Sequence, residues 1–353
     1  MKSFLKRSLM FFIAIGLLVY FSKKYLTDLN QSLSLIKSMK WYFLAIALFL
    51  QYCYFLLYSR LYQKCFELNE VVYSVKETFV KLLSANFINL TTPIGSFAGY
   101  SIFYKKSREY EKSIFGITIG IVLSIAVDFL ALFLILSLTI LTLYLTKNLS
   151  QYELTAYGIF SAILLVLFFF LTIASLNPKL SQLIFKFVQK ILNKFFKTFR
   201  NKNLVAHDWY EEKHDQLADA SEKIGSKGNF WQLFKISLLM HLINISSLIV
   251  IFISFNNNLY ILNIMVPIFA GYSIGYLFRI ISPTPQGIGI VEGIMPYVFN
   301  SLGIDLALAT IVTLIYRGIT IWLPALIGFV TFNLITKKEK GEENGETPTE
   351  SRI

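Results

Sequence analysis

Apolar residues in this chain run in long unbroken blocks instead of recurring at a helical or strand period. The main blocks cover about 8–22, 41–59, 113–146, 154–176, 231–255, 259–281 and 304–335, with a shorter one at about 287–302 and an interrupted apolar stretch at about 78–104. Crossing roughly 30 Å of hydrocarbon takes about 20 apolar residues in a helix. Inside a bilayer the backbone has to satisfy its own hydrogen bonds, so blocks of this length predict helices. Strands of a transmembrane barrel would alternate polar and apolar residues over about ten positions, and these blocks do not. The pattern predicts an all-α, polytopic transmembrane helix bundle of about eight spans, with broken or re-entrant helices around 86–99 and 282–293. Residues 1–336 read as one transmembrane domain and 337–353 as a disordered cytoplasmic tail rich in Glu, Lys, Gly and Pro.

The placement of Lys and Arg predicts the orientation. With the N-terminus cytoplasmic, 287–302 counted as a span and 78–104 as a re-entrant pair, 25 of the 33 Lys and Arg fall on the cytoplasmic side, and so do both termini. The Lys-bearing 23–40 loop runs against this bias. Lys2, Lys6 and Arg7 precede the first apolar run in the manner of a signal peptide, but Lys23–Lys24–Tyr25 follows it without a small-residue cleavage site, which predicts an uncleaved first helix. In the expected cytoplasmic loop 177–230, residues 179–200 put apolar side chains at 180, 183, 184, 187, 188, 191, 192, 195, 196 and 199. Lys186, Lys190, Lys194, Lys197 and Arg200 take the opposite face. That is a basic amphipathic helix, lying in the headgroup plane or packed on the cytoplasmic end of the bundle.

Composition narrows the class. Hydrophobic residues make up 55% and charged residues 15%, with mean hydropathy +0.59. The net charge of +12 is concentrated between apolar blocks, where anionic lipid headgroups are nearer partners than nucleic acid. Cys53 and Cys65 are too few for a disulfide framework or a zinc site. His207, Glu211 and His214 sit in a polar loop, and no metal site is expected of them. No P-loop and no hydrophilic segment long enough for a transferase domain is present, and no cofactor is expected.

Chemistry concentrates in two Pro/Gly-interrupted segments. The first runs Asn86-Phe-Ile-Asn89-Leu-Thr91-Thr92-Pro93-Ile-Gly95-Ser-Phe-Ala-Gly99; the second runs Ser282-Pro283-Thr-Pro285-Gln286-Gly287-Ile-Gly289-Ile-Val-Glu292-Gly293. Proline removes a backbone donor and glycine admits conformations that other residues resist, so both segments break helices at membrane depth. Paired breaks of this kind point to a substrate site in transporters; the plainer reading is two interfacial loops. Four ionisable residues, Asp128, Arg279, Glu292 and Arg317, fall within or beside apolar blocks. Each costs about 2.5–3.5 kcal/mol at the bilayer centre on insertion scales, so they should face inward and find partners. Glu292 follows Gly289 where a helix is expected to start, a favourable place for a carboxylate, with Arg279 and Arg317 as candidate partners. Either the pair is purely structural, or one arginine and the helix N-terminus after Gly289 hold an anionic headgroup. His241 reads as a hydrogen-bonded packing residue.

The C-terminal third resembles the transmembrane, flippase-like domain of the lysylphosphatidylglycerol synthase family. The resemblance rests on TPQGIGIVEG at 284–293 and YRGITIWLPALIG at 316–328, through Pro285, Gly287, Gly289, Glu292, Arg317, Trp322 and Pro324. Gln286 stands where the family more usually has glycine. The N-terminal half departs further. Tyr100 follows Gly99 where a Gly-Glu…Arg pattern is usual, and a Glu-Arg-x-x-Asp pattern is reduced to Ser124-Ile125 and Asp128. The resemblance implies a single flippase-like domain over about residues 1–336, as in the stand-alone members of that family, and membrane lipids as partners. The sequence ends 17 residues after the last expected span, so lysyl transfer is not expected of it. The leading expectation is a lipid translocase in a prokaryotic cytoplasmic membrane, acting on an anionic or polyprenyl-linked headgroup. Its cavity would be lined by the two broken segments, with Asn89, Pro93, Gly95, Pro285, Gly287, Gly289, Arg279, Asp128, Glu292 and Arg317 as the candidate site. The alternative is a non-transporting membrane subunit that docks a separately encoded glycosyl- or aminoacyl-transferase. An intramembrane lipid-modifying enzyme ranks below both, for want of paired carboxylates or a His-containing constellation.

Overall fold

The computed structural model describes residues 29–92, 98–107, 111–176, 229–255 and 261–343, and no strand occurs among them. In chain order the helices are α1 (Leu29–Ser38), α2 (Tyr42–Glu67), α3 (Val75–Thr91), α4 (Glu111–Leu145), α5 (Gln151–Leu176), α6 (Asn229–Ile253), α7 (Ile261–Ile281), α8 (Val291–Ser301), α9 (Leu306–Arg317) and α10 (Leu323–Glu343). A 3-10 segment, Ala98–Ser107, follows α3, and a π turn, Gly318–Trp322, joins α9 to α10 into one rod. The chain is an all-α, polytopic bundle. The stretches Tyr42–Glu67, Gly116–Leu145, Asn229–Ile253, Ile264–Ile281 and Leu306–Lys337 are long and apolar enough to cross a bilayer. The first expected span, the 179–200 segment, Pro93, Gly95 and the three loop residues His207, Glu211 and His214 lie outside the described residues.

Local sequence explains where helices begin. Ser74 caps α3, its hydroxyl accepting from the Glu77 amide at 3.1 Å. Ser150 and Glu153 cap α5 reciprocally, at 3.0 and 3.4 Å, which satisfies amides that a helix start leaves unpaired. Asp305 does the same for α9 through the Leu308 amide. Outward surfaces remain apolar, with Phe49, Leu138, Leu165 and Phe169 exposed, as suits lipid contact. Trp41, Tyr42 and Tyr144 are exposed at one end of the bundle and Trp231 at the other, the positions of interfacial aromatic residues.

The bundle is organised around α2, α4 and α6. The Lys40 amide donates to the Ser254 carbonyl at 2.8 Å, so the start of α2 meets the end of α6 and the two run antiparallel. From the other end of α2, the chain enters α3 and then doubles back. Gly99 packs on Ala85, Lys81 donates to the Ile102 carbonyl, and Tyr73 donates to the Phe103 carbonyl at 2.8 Å. The expected re-entrant pair is thus a hairpin rooted beside Phe66. Lys81 is buried there, held also by the faces of Tyr73 and Phe103. Burial pushes the Tyr73 phenol, which lies outside the spans, up to about 12, so it stays a donor at neutral pH.

A second hairpin, α7 with α8, is rooted at the opposite end of α2. Its root joins a core cluster containing Met39, Phe252, Phe255, Ile264 and Ile304. Gly271 and Gly275 let Phe299 and Met295 of α8 approach α7 closely, so the two helices run antiparallel. The shorter block counted as a span at 287–302 is here only the 11-residue α8. At about 1.5 Å per residue it reaches roughly half way across the hydrocarbon. The last rod continues to Glu343, so the boundary expected at 336 falls inside α10.

Candidate functional site

The two hairpins meet inside the bundle. The Gln286 side-chain amide donates to Oδ1 of Asn86 at 3.2 Å, and Asn89 Oδ1 accepts from the Gly99 amide at 2.6 Å. Between them lies a cavity of about 260 Å³. Its polar lining comes from Tyr54, Tyr58 and Tyr62 on α2, Asn86 and Asn89 on α3, Tyr100, Asp128, Tyr276, Arg279, Gln286 and Thr320. A smaller cavity of about 30 Å³ adjoins it, sharing Tyr54, Tyr276, Arg279, Thr320 and Ile321 and adding Gln51, Asn244, Tyr272, Tyr316 and Arg317.

The backbone at the second tip takes an unusual course. Gln286, Gly287 and Gly289 all have positive φ, at 54°, 71° and 83°. A Cβ on Gly287 would lie 2.6 Å from a Val291 methyl and 3.1 Å from the Arg279 Cα. Glycine is required there by both conformation and space. Gln286 holds the same left-handed conformation with a side chain, at a local cost that its bond to Asn86 offsets. Pro285 opens the single 3-10 turn Pro285–Gly287. Thr284 closes the turn, its hydroxyl donating to the Ile288 carbonyl at 2.9 Å.

Glu292 and Arg317 pin this tip. Arg317 donates from Nε to Glu292 Oε1 at 2.9 Å and from Nη2 to the Gln286 carbonyl at 2.7 Å. The other Glu292 oxygen accepts from the Gly289 amide at 2.8 Å, placing the carboxylate at the start of α8. Both side chains are almost fully buried. Removing either would strand the other as an unpaired charge. Of the two candidate partners, Glu292 has taken Arg317.

Arg279 is placed differently. It borders both cavities and its guanidinium carbon lies over the Tyr276 ring, 3.9 Å from its centroid. It forms no ion pair among the described residues. Tyr276 in turn donates to Asp128 Oδ2 at 2.8 Å. Asp128 also accepts from Ser237 and faces Nε2 of His241 at 3.3 Å. His241 is buried and hydrogen-bonded, with Nδ1 2.6 Å from the Tyr272 hydroxyl.

Of the residues singled out in the sequence, Asn89, Asp128 and Arg279 line the larger cavity and Arg317 the smaller. Pro285, Gly287, Gly289 and Glu292 shape the tip whose Gln286 reaches the larger cavity. Sequence reasoning passed over the tyrosines. Tyr54, Tyr58 and Tyr62 recur every four residues on one face of α2, and Tyr272 and Tyr276 repeat that spacing on α7. Thr320 and Ile321 reach both cavities from the π turn, a helix irregularity common at functional sites.

A model of the family described as "Lysylphosphatidylglycerol synthase TM region" matches residues 8–328. A protein described as a UPF0104 membrane protein, from Pyrococcus horikoshii, is 25% identical over 191 residues, which are 52% of this chain and 53% of that protein. The chain thus spans about half the length of the curated relative it matches. No solved structure matches it.

Proposed function

The chain belongs to the family of lysylphosphatidylglycerol synthase transmembrane regions, and from that premise we propose that it is a lipid translocase. Its substrate is a lipid with an anionic or polyprenyl-linked headgroup, and the headgroup enters the cavity between the hairpins. Arg279 takes the phosphate; Asn86, Asn89, Gln286 and the tyrosine hydroxyls hold the remaining polar atoms. The observation that carries this reading is a cationic guanidinium bordering a polar cavity at the meeting point of two broken helices. Broken helices that meet around a polar cavity are the usual setting of transporter substrate sites. A cavity of about 260 Å³ suits a headgroup, with the acyl or prenyl chains left in the bilayer. The protein works in the cytoplasmic membrane of a prokaryote with both termini on the cytoplasmic side, in keeping with its Lys and Arg bias.

Purified protein in liposomes should speed the crossing of a fluorescently labelled phosphatidylglycerol or prenyl phosphate, and Arg279→Ala should slow it by on the order of tenfold or more. If wild-type protein moves no lipid class faster than empty liposomes do, the reading is wrong.

A further inference from the structure

We propose that His241, held between Asp128 and Tyr272, is an intramembrane proton-binding site whose proton is exchanged together with the anionic headgroup at Arg279. The exchange with headgroup rests on the translocase reading; the proton site itself does not.

The bonding around the ring makes two protonation states equally well satisfied. Nε2 faces the Asp128 main-chain carbonyl at 3.2 Å and its carboxylate Oδ1 at 3.3 Å. Both are acceptors, so Nε2 carries a hydrogen whether the ring is neutral or cationic. Nδ1 faces the Tyr272 hydroxyl at 2.6 Å, and a hydroxyl can donate to a bare nitrogen or accept from a protonated one. A second proton therefore enters at Nδ1 when one O–H bond turns, and no hydrogen bond to the ring is lost. The imidazolium so formed has Asp128 as its counter-ion. A histidine serving only to fill space has no need of partners suited to both forms.

The relay also joins the two cavities. Asp128 lines the larger and Tyr272 the smaller, while His241 bridges them. Gln51 and Asn244, which line the smaller cavity, have buried polar atoms unpaired among the described residues. A polar space of about 30 Å³ accommodates about one water, which those atoms and Tyr272 would hold. Protons thus have polar groups to pass along on both sides of the imidazole.

Charge links the proton to the headgroup. The titratable groups facing the Asp128–His241 pair are Tyr54 of α2, Tyr100 of the 3-10 segment, and Tyr272, Tyr276 and Arg279 of α7; Tyr316 of α9 lies behind Tyr54 and Tyr272. Arg317 is nearby but matched by Glu292. Arg279 is therefore the cation that acts on Asp128, the counter-ion of His241, beside the Tyr276 that bonds Asp128. A phosphate on Arg279 offsets that charge and favours the imidazolium. Linkage makes the effect reciprocal, so proton and headgroup bind together.

Infrared pH-difference spectra of the protein in nanodiscs test this without requiring transport. In phosphatidylcholine, wild type should show an imidazole protonation change on titration. It should be absent in His241→Phe and altered in Asp128→Asn, which keeps an acceptor for Nε2 but removes the counter-charge. Adding phosphatidylglycerol should favour the protonated form by on the order of tenfold in wild type and have little effect in Arg279→Ala. A wild-type imidazole that is silent throughout the titration, or indifferent to phosphatidylglycerol, overturns the inference. A responsive imidazole in a protein that moves no lipid supports the site and overturns translocation alone. Lipid movement with a silent imidazole does the reverse.

Discussion

The side-chain amide of Gln286 reaches Oδ1 of Asn86 across 3.2 Å, joining two residues 200 positions apart in the chain. Asn86 lies on α3 and Gln286 in the turn between α7 and α8, and the two hairpins are rooted at opposite ends of α2. Asn86→Ala should free the second tip at a cost of about 1 kcal/mol, read as roughly fivefold faster hydrogen exchange over residues 284–290. Gln286→Gly should speed exchange similarly yet leave melting nearly unchanged, because glycine relieves a left-handed backbone cost of about 1–2 kcal/mol. Unchanged exchange in both variants would show that the amide pair holds nothing.

Glu292 and Arg317 should behave as a structural unit. Arg317→Ala or Glu292→Ala should each lower stability by about 3–5 kcal/mol, since each leaves a buried charge alone. Arg317→Lys should rescue little, because one ammonium does not reproduce the Nε and Nη2 bonds to Glu292 and the Gln286 carbonyl. Thermal unfolding in mild detergent reads both outcomes, and a wild-type melting profile for Arg317→Ala would refute the pinning role.

Two glycines mark close backbone crossings. A Cβ on Gly99 would lie 2.2 Å from the Ala85 carbonyl oxygen, and one on Gly328 would lie 2.0 Å from that of Leu83. Gly99→Ala and Gly328→Ala should each cost about 1–3 kcal/mol by forcing helices apart. Gly318→Ala is the matched control, with nothing within 4 Å of its added carbon. Equal melting of all three variants would argue against these crossings.

Arg279 offers a graded test of the cavity. Lysine keeps the charge but loses the guanidinium over the Tyr276 ring. Arg279→Lys should therefore move anionic lipid at a rate between wild type and Arg279→Ala, by about threefold from either. If Lys performs no better than Ala in the liposome assay, geometry matters more there than charge.

Hydropathy alone made most of the bundle legible. The blocks 113–146, 231–255 and 259–281 appear as α4, α6 and α7 with ends within about two residues of those expected. That Glu292 pairs with an arginine was also legible, since buried charges of opposite sign have few alternatives to each other, but the choice of Arg317 over Arg279 appears only in the fold. The fate of 287–302 was not. Its apolar content matches a span, but only 11 residues are helical, and the positive-φ positions before Val291 use up the rest. The interior tyrosines were hidden for another reason. A four-residue repeat shows that Tyr54, Tyr58 and Tyr62 share a face, but not whether that face meets lipid or cavity. Only the packing of α3 and the 3-10 segment against α2 settles it, with Tyr100 stacked on Tyr62 at 5.8 Å.

Hairpins anchored on opposite sides of a membrane are pulled by opposite surroundings. Retracting the α3 hairpin would unseal the chamber toward the compartment where that hairpin is rooted, and retracting the α7–α8 hairpin would unseal it toward the other. Because the Asn86–Gln286 contact and the packing of Ile288 on α3 fasten both, letting go does not by itself choose a direction. The bias must come from whichever root is the more firmly held, and at the α3 root Lys81 is held by the Ile102 carbonyl and the rings of Tyr73 and Phe103.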